Sequence, residues 1–288
     1  MNIPPPGRPL ADGRWHLQHG PIDLILQTFG AAAACRDAYA AAERRFATLL
    51  DELCAELPAL RAPAGQPVAG VVARRMQAAV MPHATAGFIT PMAAVAGAVA
   101  DEVLAVMTAA APLERAFVNN GGDIALYLAE GTAFRVGLID RPDQPGLFGT
   151  TTIRAQDGIR GVATSGWRGR SFSLGIADAV TVLAASAAQA DAAATVVANA
   201  VDLPGHPAVR RVPAVDVQCD SDLGTRLVTR DVGPLSMEDV VRALDRGVAC
   251  AELLAARGLI RAAALHCQGS TRIAGRTVLE IEGEGCLR

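Results

Sequence analysis

Asp191 and Thr195 stand four residues apart in the run Ala190-Asp191-Ala192-Ala193-Ala194-Thr195. On a helix that spacing puts both side chains on one face. A carboxylate and a hydroxyl there can hold one Mg²⁺, a hard cation that prefers oxygen and keeps several waters. The plainer reading is that Asp191 caps a helix and Thr195 packs. Upstream, Val118-Asn119-Asn120-Gly121-Gly122-Asp123-Ile124 places two glycines after an apolar run. Glycine tolerates positive φ and lets a phosphate or a ring lie against backbone N–H groups, although Gly121-Gly122 taken alone reads first as a hairpin turn. Between these segments, Ala163-Thr164-Ser165-Gly166 leads into Trp167-Arg168-Gly169-Arg170. Two hydroxyls, a glycine and two guanidiniums suit an anion pocket. Trp167 can stack on a ring or fill the core.

In this order the three segments resemble the FAD:protein FMN transferase (ApbE) superfamily, where N-x-G-G-D, A-T-S-G and A-D-A-x-x-T segments follow one another. The resemblance implies that Asp191 and Thr195 are metal ligands and that the metal activates the pyrophosphate of FAD. It also implies a flavin-nucleotide site at Asn119, Asn120, Gly121, Gly122 and Asp123, with Asp123 binding a ribose or ordering the loop. Thr164, Ser165, Gly166, Trp167, Arg168 and Arg170 are expected to line the same pocket.

One segment departs from the transferase pattern. Where H-x-x-D-P-x-T-G is usual, this chain reads Ser171-Phe172-Ser173-Leu174-Gly175-Ile176-Ala177-Asp178. The histidine, the proline and the second Thr-Gly are absent, and Asp178 stands in loosely for the missing aspartate. The run from Ser165 to Ala200, with Ile89-Thr90-Pro91-Met92-Ala93-Ala94-Val95-Ala96-Gly97 and Asp220-Ser221-Asp222-Leu223-Gly224, is more similar to an uncharacterised ApbE-like branch. That likeness covers most of residues 15 to 285, whereas the transferase likeness is confined to residues 116 to 200. Standard FMN transfer is therefore not the expected reaction, and the D-x-x-[ST]-G-A-[ST] acceptor pattern is absent too. The expected activity is metal-assisted transfer or cleavage at a phosphate, with Arg168 or Arg170 holding the anion and Mg²⁺ held by Asp191 and Thr195. Whether the ligand is FAD, FMN or another anionic small molecule stays open. So do a metabolite-binding protein without turnover and a scaffold with a degenerate pocket.

Composition narrows the partners. All 26 basic residues of the 288 are Arg, the net charge is −3 and the pI is near 6. An all-Arg surface reads as coding bias, and nothing here forms the basic stripe of a nucleic-acid binder. The six cysteines, at 35, 54, 219, 250, 267 and 286, make no C-x-x-C and no zinc spacing, so reduced thiols and a cytoplasmic setting are expected. Met1 to Gly7 lacks the basic and apolar regions of a signal peptide. Met76 to Ala100 carries no charge, but Pro82, His83 and Pro91 interrupt it, favouring buried structure over a membrane span. A homo-oligomer is compatible with all of this. His83, Asp220 with Asp222, and Arg210 with Arg211 are weaker candidates, better read as a core histidine, a solvated turn and a charged loop.

The elements that must position these residues follow from periodicity. An arm over 1–14 precedes a single expected α+β domain over 15–288. Trp15 to Gln27 alternates as a strand. Ala31 to Leu60 carries an apolar stripe at Tyr39, Phe46, Leu49, Leu50, Leu53 and Leu57, as an amphipathic helix does. Thr90-Pro91 starts a helix reaching about Ala110. Strands are expected at Ala116 to Asn119, Ile124 to Ala129, Ala133 to Leu138, Thr151 to Ala155 and Ile159 to Ala163. A short helix covers Asp191 to Ala200, and Leu203 to Pro213 is a connection. Ser236-Met237-Glu238-Asp239 forms a capping box for a helix that Gly258 stops. Strands over Leu259 to His266 and Thr277 to Ile281, joined through Gly269 to Gly275, finish a mainly antiparallel sheet packed with helices.

Overall fold

A computed structural model describes residues 7–139, 146–275 and 279–281. The first six residues of the expected arm, Thr277 of the last expected strand and Cys286 lie outside the described residues. The chain forms two compact units: 1–133 with 154–163 and 184–192, and 134–153 with 164–183 and 193–288.

The first unit opens with β1 (Arg8–Pro9), β2 (Trp15–His19) and β3 (Ile22–Phe29). The single strand expected over Trp15 to Gln27 is thus a hairpin, turned at Gly20, whose φ of +56° suits glycine. Alternate β3 residues, among them Leu24 and Leu26, are fully buried, as one-sided burial of a sheet requires. The helix expected over Ala31 to Leu60 breaks at Glu56 into α1 (Ala32–Ala55) and α2 (Leu57–Leu60). Pro58 cannot donate to the carbonyl four residues back, so the ladder stops there. Glu56 turns outward and accepts from the N–H groups of Ala69 and Gly70, at 2.6 and 2.7 Å. These groups lie at the start of α3 (Val71–Val80), a helix that periodicity did not single out.

Thr90-Pro91 does start a helical run, with no side-chain cap from Thr90. The run begins as a 3₁₀ turn, Pro91–Ala94, before α4 (Val95–Ala110). Pro91–Ala110 is long and apolar enough to cross a membrane, and half of it is buried in this structure. Glu102, in its middle, is buried and ion-paired with Arg45 of α1 at 2.8 Å and with Arg75 of α3 at 3.3 Å. Next, β4 (Arg115–Asn120) and β5 (Asp123–Leu128) pair antiparallel, and β4 also pairs with β3.

The chain then builds β6 (Ala133–Ile139) and β7 (Leu147–Arg154) in the second unit and returns to begin β8 (Gly161–Ser165), which pairs with β5. The rest of the second unit holds β9 (Ala179–Ala184) and most of α5 (Ala187–Ala200). It continues with β10 (Val209–Pro213), α6 (Ala214–Val217), β11 (Leu227–Val232), α7 (Met237–Ala256), β12 (Ala262–Cys267), β13 (Ser270–Gly275) and β14 (Leu279–Ile281). β12 pairs antiparallel with both β9 and β13, and α7 packs on β12 and β13. Every residue of β9 and β12 is buried. Two expected connections turn out to be strands: β10 pairs with β11 through a bulge at Arg210/Arg211, and Ser270–Gly275 is β13. Ser236 caps α7 as expected, accepting from the Asp239 N–H at 3.1 Å. Asp239 takes the Ser236 hydroxyl at 2.7 Å. Helices and antiparallel strands together make the expected α+β fold.

Candidate functional site

The sequence candidates divide between the units. Asn119, Asn120, Gly121, Gly122, Asp123 and Asp191 belong to the first; Thr164, Ser165, Gly166, Trp167, Arg168, Arg170, Asp178 and Thr195 belong to the second.

In the first unit, Gly121 and Gly122 form the two-residue loop between β4 and β5, with φ of +66° and +115°. Two successive positive φ values fit the right-handed twist of a hairpin and favour glycine at both places. The Gly122 N–H donates to Asn119 Oδ1 at 2.8 Å. Asn120 is buried, and its Nδ2 donates to the Ala96 carbonyl at 3.1 Å, tying the loop to the first turn of α4. Asp191 reaches the same turn: its Oδ2 accepts from the Gly97 N–H at 3.0 Å. Asp101, one turn further along α4, accepts from the N–H groups of Ala187 and Ala188 at 3.0 and 2.9 Å. Each helix therefore receives its N-terminal carboxylate from the other. This satisfies donors that have no partner within their own helix and places negative charge at two positive dipole ends.

Gly97 makes the exchange possible. A Cβ there would sit 2.3 Å from the Ala187 carbonyl oxygen. Asp191 thus caps a neighbouring helix rather than its own. Sequence reading missed Asp101 and Gly97 as partners. The available signal was an Asp-Glu pair four residues after a glycine in a mostly apolar helix.

Burial, followed by the neighbouring Asp123 carboxylate, raises the Asp191 carboxyl well above its ordinary value of 3.8. Burial also raises Asp101, against the pull of the Ala188 and Ala187 N–H groups. The folded Asp191 carboxyl holds its proton more tightly than the unfolded one does. Its contribution to stability is full below the ordinary carboxyl range and is lost as pH rises through the raised value. Asp191→Asn is therefore expected to flatten the fall in stability from about pH 4 upward. Urea unfolding of both proteins across pH checks this, and parallel curves would contradict it.

In the second unit, Asp178 organises the loop after β8. It is 4% exposed. Its Oδ1 accepts from Arg168 Nε at 2.6 Å and from Trp167 Nε1 at 3.2 Å; its Oδ2 accepts from the Gln268 N–H at 2.6 Å. Gln268 needs that anchor, because its φ of +42° in the turn between β12 and β13 is unusual for a residue with a side chain. The Arg168 guanidinium lies over the Trp167 ring, 4.3 Å from its centroid. Gly166 passes so close to the Asp178 carbonyl that a Cβ would lie 2.4 Å from it. The Thr164 and Thr181 hydroxyls bond at 2.9 Å. Ser165 is half-buried, whereas Arg170 is exposed.

The divergent segment from Ser171 to Asp178 packs against the end of α5. Asn199 Oδ1 accepts from the Leu174 N–H at 2.9 Å and from Ser173 Oγ at 3.2 Å, and the Ile176 N–H donates to the Val201 carbonyl at 2.8 Å. Beside it, burial and then Asp178 push the Cys267 thiol up to about 12, which leaves it an unreactive core group.

On α5, Asp191 and the half-buried Thr195 stand one turn apart. No group of three or more His, Cys, Asp or Glu residues is arranged to hold a metal among the described residues. The weaker candidates take structural surroundings: His83 is buried, Arg211 pairs with Asp202, and Asp220 accepts from Gln218 Nε2 at 2.9 Å.

A family model described as AbpE bacteria matches residues 7–273. A UPF0280 protein from Methanopyrus kandleri is 42% identical over 112 residues, 38% of this chain and 43% of that one. A UPF0280 protein from Methanothrix thermoacetophila is 38% identical over 131 residues, 42% of this chain and 50% of that one. The chain spans about half the length of the curated relatives it matches. Among solved structures, a mutant of the flavin transferase ApbE from Vibrio cholerae is similar with a TM-score of 0.50 and 13% identity, over 92% of this chain and 98% of that one. At such identity the likeness is one of fold.

Proposed function

From the premise that this chain belongs to the AbpE bacteria family, we propose that it binds a phosphate-bearing small molecule together with Mg²⁺, with Asp191 as the principal protein ligand to the cation and Thr195 beside it. One observation carries this reading: the half-buried Asp191 carboxyl, which accepts from the Gly97 N–H at 3.0 Å, feels the charge of the Asp123 carboxylate that follows the Gly121-Gly122 hairpin. Two carboxylates that feel each other destabilise each other's charge, and a divalent cation relieves that cost while displacing the proton that otherwise would. The donors suit a hard cation, since a carboxylate and a hydroxyl supply oxygen only. Two such side chains make an incomplete shell, which favours a cation that water and ligand phosphates complete. When bound, the metal would neutralise phosphate charge and make a phosphate ester or anhydride easier to cleave. The Gly121-Gly122 backbone leaves room for close approach, and Asn119 and Asn120 hold that backbone in place.

Standard flavin transfer is not part of this proposal. The segment from Ser171 to Asp178 replaces the histidine-bearing motif of the transferases, and Asp178 is committed to Trp167, Arg168 and Gln268. Serine hydroxyls do not reproduce a His–Asp pair, and a site that lacks expected polar partners discriminates against the ligand that needs them. The expected result is weak or no FAD binding by fluorescence titration. No fluorescent flavin should appear on an acceptor peptide in a gel. Tight FAD binding with efficient transfer would reverse this part of the reading.

A further inference from the structure

A cleft of ≈ 200 Å³ lies within the first unit and is lined by Arg75, Asp101, Thr108, Tyr127, Arg160 and Ser186, among others. Its volume is below the roughly 300–1,000 Å³ of pockets for drug-sized molecules, so any ligand would be compact. Its polar side chains come from separate elements. Arg75 is on α3, Thr108 on α4 and Tyr127 on β5; Arg160 immediately precedes β8, and Ser186 precedes α5.

Arg160 is held rigidly. Its Nη1 donates to the Ile159 carbonyl and its Nη2 to the Ala155 carbonyl, both at 2.8 Å, and its backbone N–H donates to the Ala184 carbonyl at 3.0 Å. Its side chain bonds only to carbonyl oxygens among the described residues, so its charge is oriented without being neutralised by an acid. Two of its five N–H donors are used. Arg75 shares Glu102 with Arg45, and Arg45 is also paired with Glu52. Two guanidiniums therefore face two carboxylates in that network.

The remaining acid on the wall, Asp101, directs both oxygens to the first N–H groups of α5. Its negative charge is thus offset at a helix N-terminus. The wall offers unspent guanidinium donors with hydroxyls nearby. Guanidinium forks match the oxygens of phosphate in geometry and charge.

We propose that this cleft binds a compact phosphate-bearing anion, with Arg160 and Arg75 as its recognition residues. The site is separate from the one assigned to Asp191 and does not depend on Mg²⁺.

The test is calorimetric titration of the full chain with inorganic phosphate, without Mg²⁺, against acetate at matched ionic strength. Saturable phosphate binding is expected, with acetate bound more weakly. Arg160→Gln is expected to weaken phosphate binding about tenfold or more, the range for a lost charged hydrogen bond. Because Arg160 also ties down two carbonyls, Arg75→Gln is the second variant; its side chain is 40% exposed and can be changed with less risk to folding. Phosphate binding should persist in Arg170→Gln and Asp191→Asn, which separates this cleft from the site proposed above. The proposal is overturned if the wild-type chain shows no saturable phosphate binding or binds acetate equally well. It is equally overturned if folded Arg75→Gln and Arg160→Gln both bind phosphate as the wild type does, or if Arg75→Gln does so when Arg160→Gln fails to fold.

Discussion

Asp178→Ala is expected to destabilise the protein by about 3–5 kcal/mol, the usual cost of removing one partner from a buried ion pair. The substitution leaves three donors without their acceptor: Arg168 Nε, Trp167 Nε1 and the Gln268 N–H. The last is the most damaging loss, because Gln268 holds a positive φ in the turn joining β12 to β13. Asp178→Asn keeps an acceptor oxygen and the shape but not the charge, and is expected to recover part of the loss. Urea unfolding measures both variants. A change below about 0.5 kcal/mol in Asp178→Ala, the range of an ordinary exposed substitution, would show that the loop is held by other contacts.

Gly97→Ala is expected to cost a similar amount, about 3–5 kcal/mol, for a different reason. The added methyl would meet backbone, at 2.3 Å from the Ala187 oxygen and 2.4 Å from its carbonyl carbon. Backbone cannot swing aside as a side chain can, so α4 and the start of α5 must separate. Overpacking of this kind costs about 1–3 kcal/mol. Separation also stretches the caps made by Asp191 and Asp101, each worth about 0.5–2 kcal/mol. Thermal unfolding checks the size of the effect. A melting temperature within a degree or two of the wild type would mean that the helices have slack that the contact distances deny.

Much of the fold was legible because its signals are local. The Gly121-Gly122 turn, the Ser236 cap and the Gly258 stop each rest on chemistry within a few residues. The stripe Phe46, Leu49, Leu53 is buried as its helical spacing requires. Two of the departures have a plain physical cause. The apolar stripe from Ala31 continues to Leu57 and favours one long helix, but the N–H missing at Pro58 outweighs a continued stripe. β10 and β13 resemble connections in sequence, because arginines, glycines and short length hide an alternation that only the partner strands make meaningful.

The candidate residues were legible as types, but their partners were not. Asp191 stood out by its spacing to Thr195, yet its bond to Gly97 spans 94 residues of sequence. Asp178 looked like a weak substitute for a missing motif residue. In the structure it anchors a loop, through Gln268, 90 residues away. Such roles depend on how elements cross, which no single-sequence pattern encodes.

Asp191 is proposed to hold a cation that serves a phosphate-bearing ligand. Calorimetric titration of the wild-type chain and of Asp191→Asn with ATP, FMN and FAD, each with and without Mg²⁺, tests it most directly. At least one phosphate compound is expected to bind the wild type only when Mg²⁺ is present, and Asp191→Asn, while still folded, is expected to lose that Mg²⁺-dependent binding. Mg²⁺-dependent binding that is unchanged in Asp191→Asn, or no Mg²⁺-dependent binding by the wild type to any of the three, would contradict it.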